Sequence, residues 1–160
     1  MKRNIIPYAL KYYFPLLGKI KNFFSNSPIK KIATSRYCYS VWFRHYSILR
    51  QQGLFNNPRT VAELGPGDSL GLGIMSLLMG AQRYVALDTA KTTNFEENVE
   101  LSNELCSMIM EKQQIPGDDE FPRVFPRIDD YQFPKEKLTM AVNSEAFEER
   151  LNNIKEVLSK

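Results

Sequence analysis

The residues best suited to chemistry lie in one stretch, Thr60-Val61-Ala62-Glu63-Leu64-Gly65-Pro66-Gly67-Asp68-Ser69-Leu70-Gly71, and in one acid that follows it, Asp88. Gly65 and Gly67 lack Cβ, so the backbone there can turn tightly and come close to a ligand. A helix beginning after the turn offers unpaired N–H groups at its start, near Asp68 to Leu70. Asp88 ends a second apolar run and can accept two hydroxyl hydrogen bonds from a ribose. Glu63 ends the first run as an anion facing the same crevice. It would repel a pyrophosphate and suit a cationic ligand.

That charge balance disfavours NAD, as does Pro66 in the loop. It favours S-adenosylmethionine, which carries a sulfonium and an ammonium. The run Glu63 to Gly71, with Asp88 about two dozen residues after Glu63, resembles the first two motifs of class I S-adenosylmethionine-dependent methyltransferases. Tyr39-Ser40-Val41-Trp42-Phe43-Arg44-His45 and the long insertion after Asp88 are similar to the type 11 branch. The resemblance covers roughly residues 36–160. It implies that Glu63 ends the first strand beside the methionine part of the cofactor. It implies further that Gly65 and Gly67 line the cofactor and that Asp88 holds the ribose. The cofactor-binding set is then Glu63, Gly65, Pro66, Gly67, Asp68, Ser69 and Asp88, with Pro66 and Ser69 shaping the loop. An ordinary Gly-Pro-Gly-Asp turn, with Asp88 and Thr89 capping the next helix, is the competing reading.

Positioning these residues requires a strand, a glycine turn, a helix and a second strand. Thr60 to Leu64 is a short β-prone run, and Leu70, Ile74, Leu77 and Leu78 recur at helical spacing up to Gly80. Gln82 to Leu87 is the second strand, closed by Asp88. Upstream, a helix starts near Ser35 with Tyr39, Trp42, Tyr46 and Leu49 on one face. Gly53 ends it, and Asn56-Asn57-Pro58 makes a turn. Tyr39 and Trp42 either wall the cofactor pocket or anchor that helix to the sheet. Downstream, Lys91-Thr92-Thr93 is a loop. Asn94 to Lys112 is helical, with Phe95, Val99, Leu101, Leu105, Met108 and Ile109 as core positions. Asp118 to Pro134 holds five acids and three prolines, which predicts an irregular, solvated acidic excursion. Val124-Phe125 and Leu138 to Val142 read as brief strands. Ser144 reads as an N-cap, with a helix from Glu145 to about Leu158.

The remaining signals bound the class of protein. With 43% hydrophobic and 24% charged residues, the chain is neither collagen, a disulfide scaffold nor wholly disordered. Cys38 and Cys106 are far apart, form no metal-like spacing and read as reduced thiols of a cytoplasmic protein. His45 is the single histidine, so this chain cannot build a multi-histidine metal site. It reads as a helix-surface or boundary residue beside Arg44 rather than a general base. Asp118, Asp119, Glu120, Asp129 and Asp130 lack a known ligand spacing for a hard cation.

Ten basic residues and no Asp or Glu fall within positions 1–50, and the rest of the chain carries an excess of acids, +10 against −7 in a net +3. Such a split suggests two parts with different partners. Residues 1–34 form a basic aromatic leader. Its apolar runs, broken by Lys11, Pro7, Pro15 and Gly18, fall short of the ~20 residues of a spanning helix. The leader reads either as a helical pair packed on the domain or as an amphipathic segment in peripheral contact with an anionic membrane. No nucleic-acid motif supports a third reading.

The expectation is an α/β chain: a partial Rossmann-like, doubly wound sheet of the class I methyltransferase type with N-terminal helices. The leader occupies residues 1–34 and the methyltransferase-like part 35–160. That family has a seven-stranded sheet, and two strands with a third candidate are legible here. The chain therefore reads as the first, truncated part of the fold, with methyl transfer to a small-molecule or glycan-type acceptor dependent on completion. The rival expectation is a non-catalytic adapter that retains a remnant of the cofactor fold.

Overall fold

The computed structural model describes residues 34–55, 58–89, 93–134 and 144–160. The leader up to residue 33, Asn56-Asn57, Lys91-Thr92 and the expected strand Leu138 to Val142 lie outside them. The described part is mixed α/β: α1 (Ser35–Gln51), β1 (Thr60–Leu64), α2 (Gly71–Leu78), β2 (Arg83–Leu87), α3 (Phe95–Met110) and α4 (Ser144–Leu158). The strands expected at Thr60 to Leu64 and Gln82 to Leu87 are present, as are the four helices expected from Ser35 onward. Among the described residues no helix is long and apolar enough to cross a membrane.

β1 and β2 pair in parallel, from Thr60 opposite Arg83 to Leu64 opposite Leu87. Alternation along each strand sends Val61, Glu63, Tyr84 and Ala86 to one face. Thr60, Ala62, Leu64, Arg83, Val85 and Leu87 take the other. Among the described elements only α2 packs on the sheet. It packs close because its third residue is glycine. A Cβ on Gly73 would run into the Tyr84 ring. The second face is uncovered among the described residues, and Leu64 is 79% exposed. The double winding expected from the sequence is thus one-sided here.

The core is helical. α2 touches α1, α3 and α4 as well as the sheet. Tyr39, Phe43 and Tyr46 of α1 meet Ile74, Met75 and Leu78 of α2, with Leu101, Leu105 and Ile109 of α3 and Phe147 and Ile154 of α4. Tyr39 and Phe43 stack in a tilted pair at 4.6 Å, and Trp42 lies flat against Tyr46 at 5.3 Å. The expected core position Phe95 turns outward instead, and Leu49, read as sharing a face with Tyr39, Trp42 and Tyr46, is exposed too. Phe95 is the first residue of α3, ahead of the first turn that packs.

The helix ends follow their local chemistry. Thr34 accepts the Tyr37 amide at the start of α1, and Asn94 accepts the Glu97 amide at the start of α3. α4 begins at Ser144 itself, one residue ahead of the expected start. The last-turn carbonyl of Leu78 in α2 accepts a hydrogen bond from Arg150 of α4 at 3.2 Å.

The acidic excursion differs most from its sequence reading. It has no regular structure, so Val124-Phe125 is not a strand. Nor is it simply solvated, because Val124, Ile128 and Phe133 are buried, as is Ile115 just ahead of it. Arg44, counted among the ten basic residues of positions 1–50, is fully buried and organises it. Its guanidinium donates to Ser40 Oγ at 3.0 Å, Asp118 Oδ1 at 2.8 Å, the Val124 carbonyl at 2.8 Å and the Pro116 carbonyl at 3.2 Å. Arg36 grips Glu120 through two bonds of 2.7 and 2.6 Å. Two of the ten N-terminal basic residues therefore find their anions inside the chain.

Candidate functional site

The glycine turn stands at the carboxyl end of the β1–β2 pair. Gly65 and Gly67 have φ of 73° and 70°, the left-handed region that side chains disfavour, so glycine is favoured at both. The Gly65 amide extends the sheet by donating to the Leu87 carbonyl at 2.8 Å. The Gly67 amide donates to Asp88 Oδ2 at 2.9 Å. Asp88 also accepts the Thr89 amide through Oδ1 at 2.6 Å. The turn and the acid after β2 are thus in direct contact.

A residue that the sequence reading passed over pins the turn from below. Asn98 of α3 is buried, accepts the Leu70 amide at 2.7 Å, and donates to the Asp68 carbonyl at 3.1 Å and the Asn94 carbonyl at 2.7 Å. Ser69 Oγ takes the Gly71 amide at 3.2 Å. Of the N–H groups near Asp68 to Leu70 that the sequence offered to a ligand, that of Leu70 already has a side-chain acceptor, as does the Gly71 amide that follows. The signal for Asn98 was its position one turn after the cap Asn94. Only the fold shows that it faces the loop.

Glu63 does not share this setting. Its side chain lies on the α2 face of the sheet, where Oε2 accepts the Tyr84 hydroxyl at 2.5 Å. It lines a groove of about 400 Å³ between α1, β1 and α2, walled by Trp42, Tyr46, Phe55, Leu72 and Met79. Gly65, Gly67 and Asp88 do not line that groove. The single crevice expected for both carboxylates is divided, because strand alternation commits Glu63 to the helix-covered face and Tyr84 captures it there.

Burial raises the Glu63 carboxyl above its ordinary range, and the Tyr84 hydrogen bond offsets part of that rise. The Tyr84 phenol is in turn pushed far up by burial and by the neighbouring carboxylate. Cys38 sits beside the turn, its sulfur 3.9 Å from Ser69 Oγ, and burial pushes its thiol up to about 11. Such a thiol stays protonated and poorly nucleophilic at neutral pH. His45 is exposed at the groove rim, with Nδ1 donating to the Val41 carbonyl at 2.8 Å. Trp42 spends its indole N–H on Ser76 Oγ at 3.0 Å. Tyr39 is fully buried and donates its hydroxyl to the Gln113 carbonyl at 2.9 Å, so it anchors α1 to the excursion rather than walling a pocket.

Comparison of the chain with protein-family models, with curated proteins and with solved structures returned no match.

Proposed function

We propose that the strand–turn–helix–strand unit binds S-adenosylmethionine as the first part of a Rossmann-like class I methyltransferase fold. One observation carries this reading: the Gly67 amide on the Asp88 carboxylate, at the carboxyl end of two parallel strands. Nucleoside ligands of open parallel sheets bind at that end. In this reading the backbone of Gly65, Pro66 and Gly67 forms the floor, and Asp68 and Ser69 shape the entry to α2. Asp88 accepts ribose hydroxyls in exchange for, or beside, the Gly67 amide. Methyl transfer to a small-molecule or glycan-type acceptor would be an in-line displacement at the sulfonium methyl. There the protein's work is alignment and exclusion of water. No described residue is assigned as a base.

A second reading rests on the occupied amides of Leu70 and Gly71 and on the diversion of Glu63 to Tyr84. Amides already satisfied from within suit a remnant that keeps the fold as an adapter without the cofactor. Isothermal titration of S-adenosylmethionine into the full chain separates the two. The first reading expects saturable heat below about 1 mM and an affinity loss of about tenfold or more in Asp88→Asn. A chain that is folded by circular dichroism and gives no heat supports the adapter.

A further inference from the structure

We infer that the groove between α1, β1 and α2 is a binding site for a hydrophobic organic cation, an arylalkyl ammonium in chemical class, with Glu63 as its counter-ion. This goes beyond the cofactor reading and does not rest on it, since neither the glycine turn nor Asp88 lines the groove.

The groove's size, about 400 Å³, falls within the range of small-molecule pockets. Its walls are the aromatic rings of Trp42, Tyr46 and Phe55 with Leu72 and Met79. Most of its polar atoms are engaged. The Trp42 indole N–H is on Ser76, the Tyr46 hydroxyl accepts from Arg50 at 3.3 Å, and the Tyr84 hydroxyl proton is on Glu63 Oε2. Glu63 Oε1 is different: it has no hydrogen-bond partner among the described residues, yet it is not sealed from solvent. A half-buried carboxylate with one open oxygen, in a groove walled by aromatic rings of which Tyr46 already holds the Arg50 guanidinium at 5.7 Å, selects charge twice over. The carboxylate pairs with an ammonium, and the rings attract a cation to their faces. An apolar body on the same ligand fills the walls. An anion or a plain hydrocarbon satisfies only part of this arrangement.

The chain's single tryptophan, Trp42, lines the groove and reports on it directly. The experiment titrates phenethylamine and its neutral isostere 2-phenylethanol into the full chain while Trp42 fluorescence is read. The inference expects saturable change with both probes and an affinity for the amine at least about tenfold the higher. In Glu63→Gln, which keeps an acceptor for Tyr84, that preference falls to near one while the alcohol still binds. The wild-type comparison stands alone should the variant fail to fold. The inference is overturned by equal affinities, no saturable change, a preference that survives in Glu63→Gln, or sedimentation showing a second copy sealing the groove. Displacement of the amine by S-adenosylmethionine also overturns it as a separate site. The absence of S-adenosylmethionine binding bears only on the cofactor reading.

Discussion

Replacing Arg44 with methionine removes four donated hydrogen bonds while keeping most of the side-chain volume. Pro116 keeps a partner, because Ser40 Oγ donates to its carbonyl at 2.7 Å. The buried Val124 carbonyl loses the Arg44 donor. Arg44→Met should therefore cost about 2 kcal/mol in urea unfolding, the usual scale for stranding a buried polar group. Glu63 makes the opposite case. An acid raised by burial binds its proton more tightly when folded. Its contribution to stability is full below the unfolded pKa and is lost as pH rises through the folded one. Glu63→Gln should thus unfold at higher urea than the parent at pH about 7, and the gain should vanish near pH 4, where both side chains are neutral. These two residues also mark what was legible. Glu63 stood out as a carboxylate at a strand end, but its direction depended on Tyr84 across the strand pair. Arg44 gave no signal, and Asn98 gave only its place one turn after the cap Asn94, because the partners that define a buried polar residue are mostly distant in sequence.

Three helices end in the same way, with a left-handed residue after the cap and paired hydrogen bonds back to the last turn. Gly53 and Gly80 fill that position after α1 and α2, and Lys112, at φ 53°, fills it after α3. Lysine has a Cβ to accommodate there, so Lys112→Gly should stabilise the protein by about 1 kcal/mol, read as a higher urea midpoint with unchanged slope. Periodicity and caps placed α1, α2, α3 and both strands within a residue or two of their observed bounds, because these signals are local. The excursion after α3 was not legible. Its prolines and acids read as a solvated loop, while Ile128 and Phe133, with Ile115 just ahead of it, carry it into the core and Arg36 and Arg44 tie it to α1.

Across the whole molecule, the charge split visible in the sequence is partly internal. The Arg36–Glu120 and Arg44–Asp118 pairs join α1, the described part of the basic first 50 residues, to the acidic part that follows. The described sheet has two strands and one covered face, although parallel sheets are normally covered on both. Its helical side holds the groove and its carboxyl end holds the glycine turn, so the two carboxylates serve different surroundings. The cofactor reading makes a claim about the turn alone, and backbone amides report on it directly. The decisive measurement is an amide correlation spectrum of the labelled full chain with and without S-adenosylmethionine. The account predicts saturable shifts at Gly65, Gly67 and Asp88, because ligand hydroxyls compete for the carboxylate that holds the Gly67 amide. A spectrum in which these three amides stay fixed at millimolar ligand would contradict it.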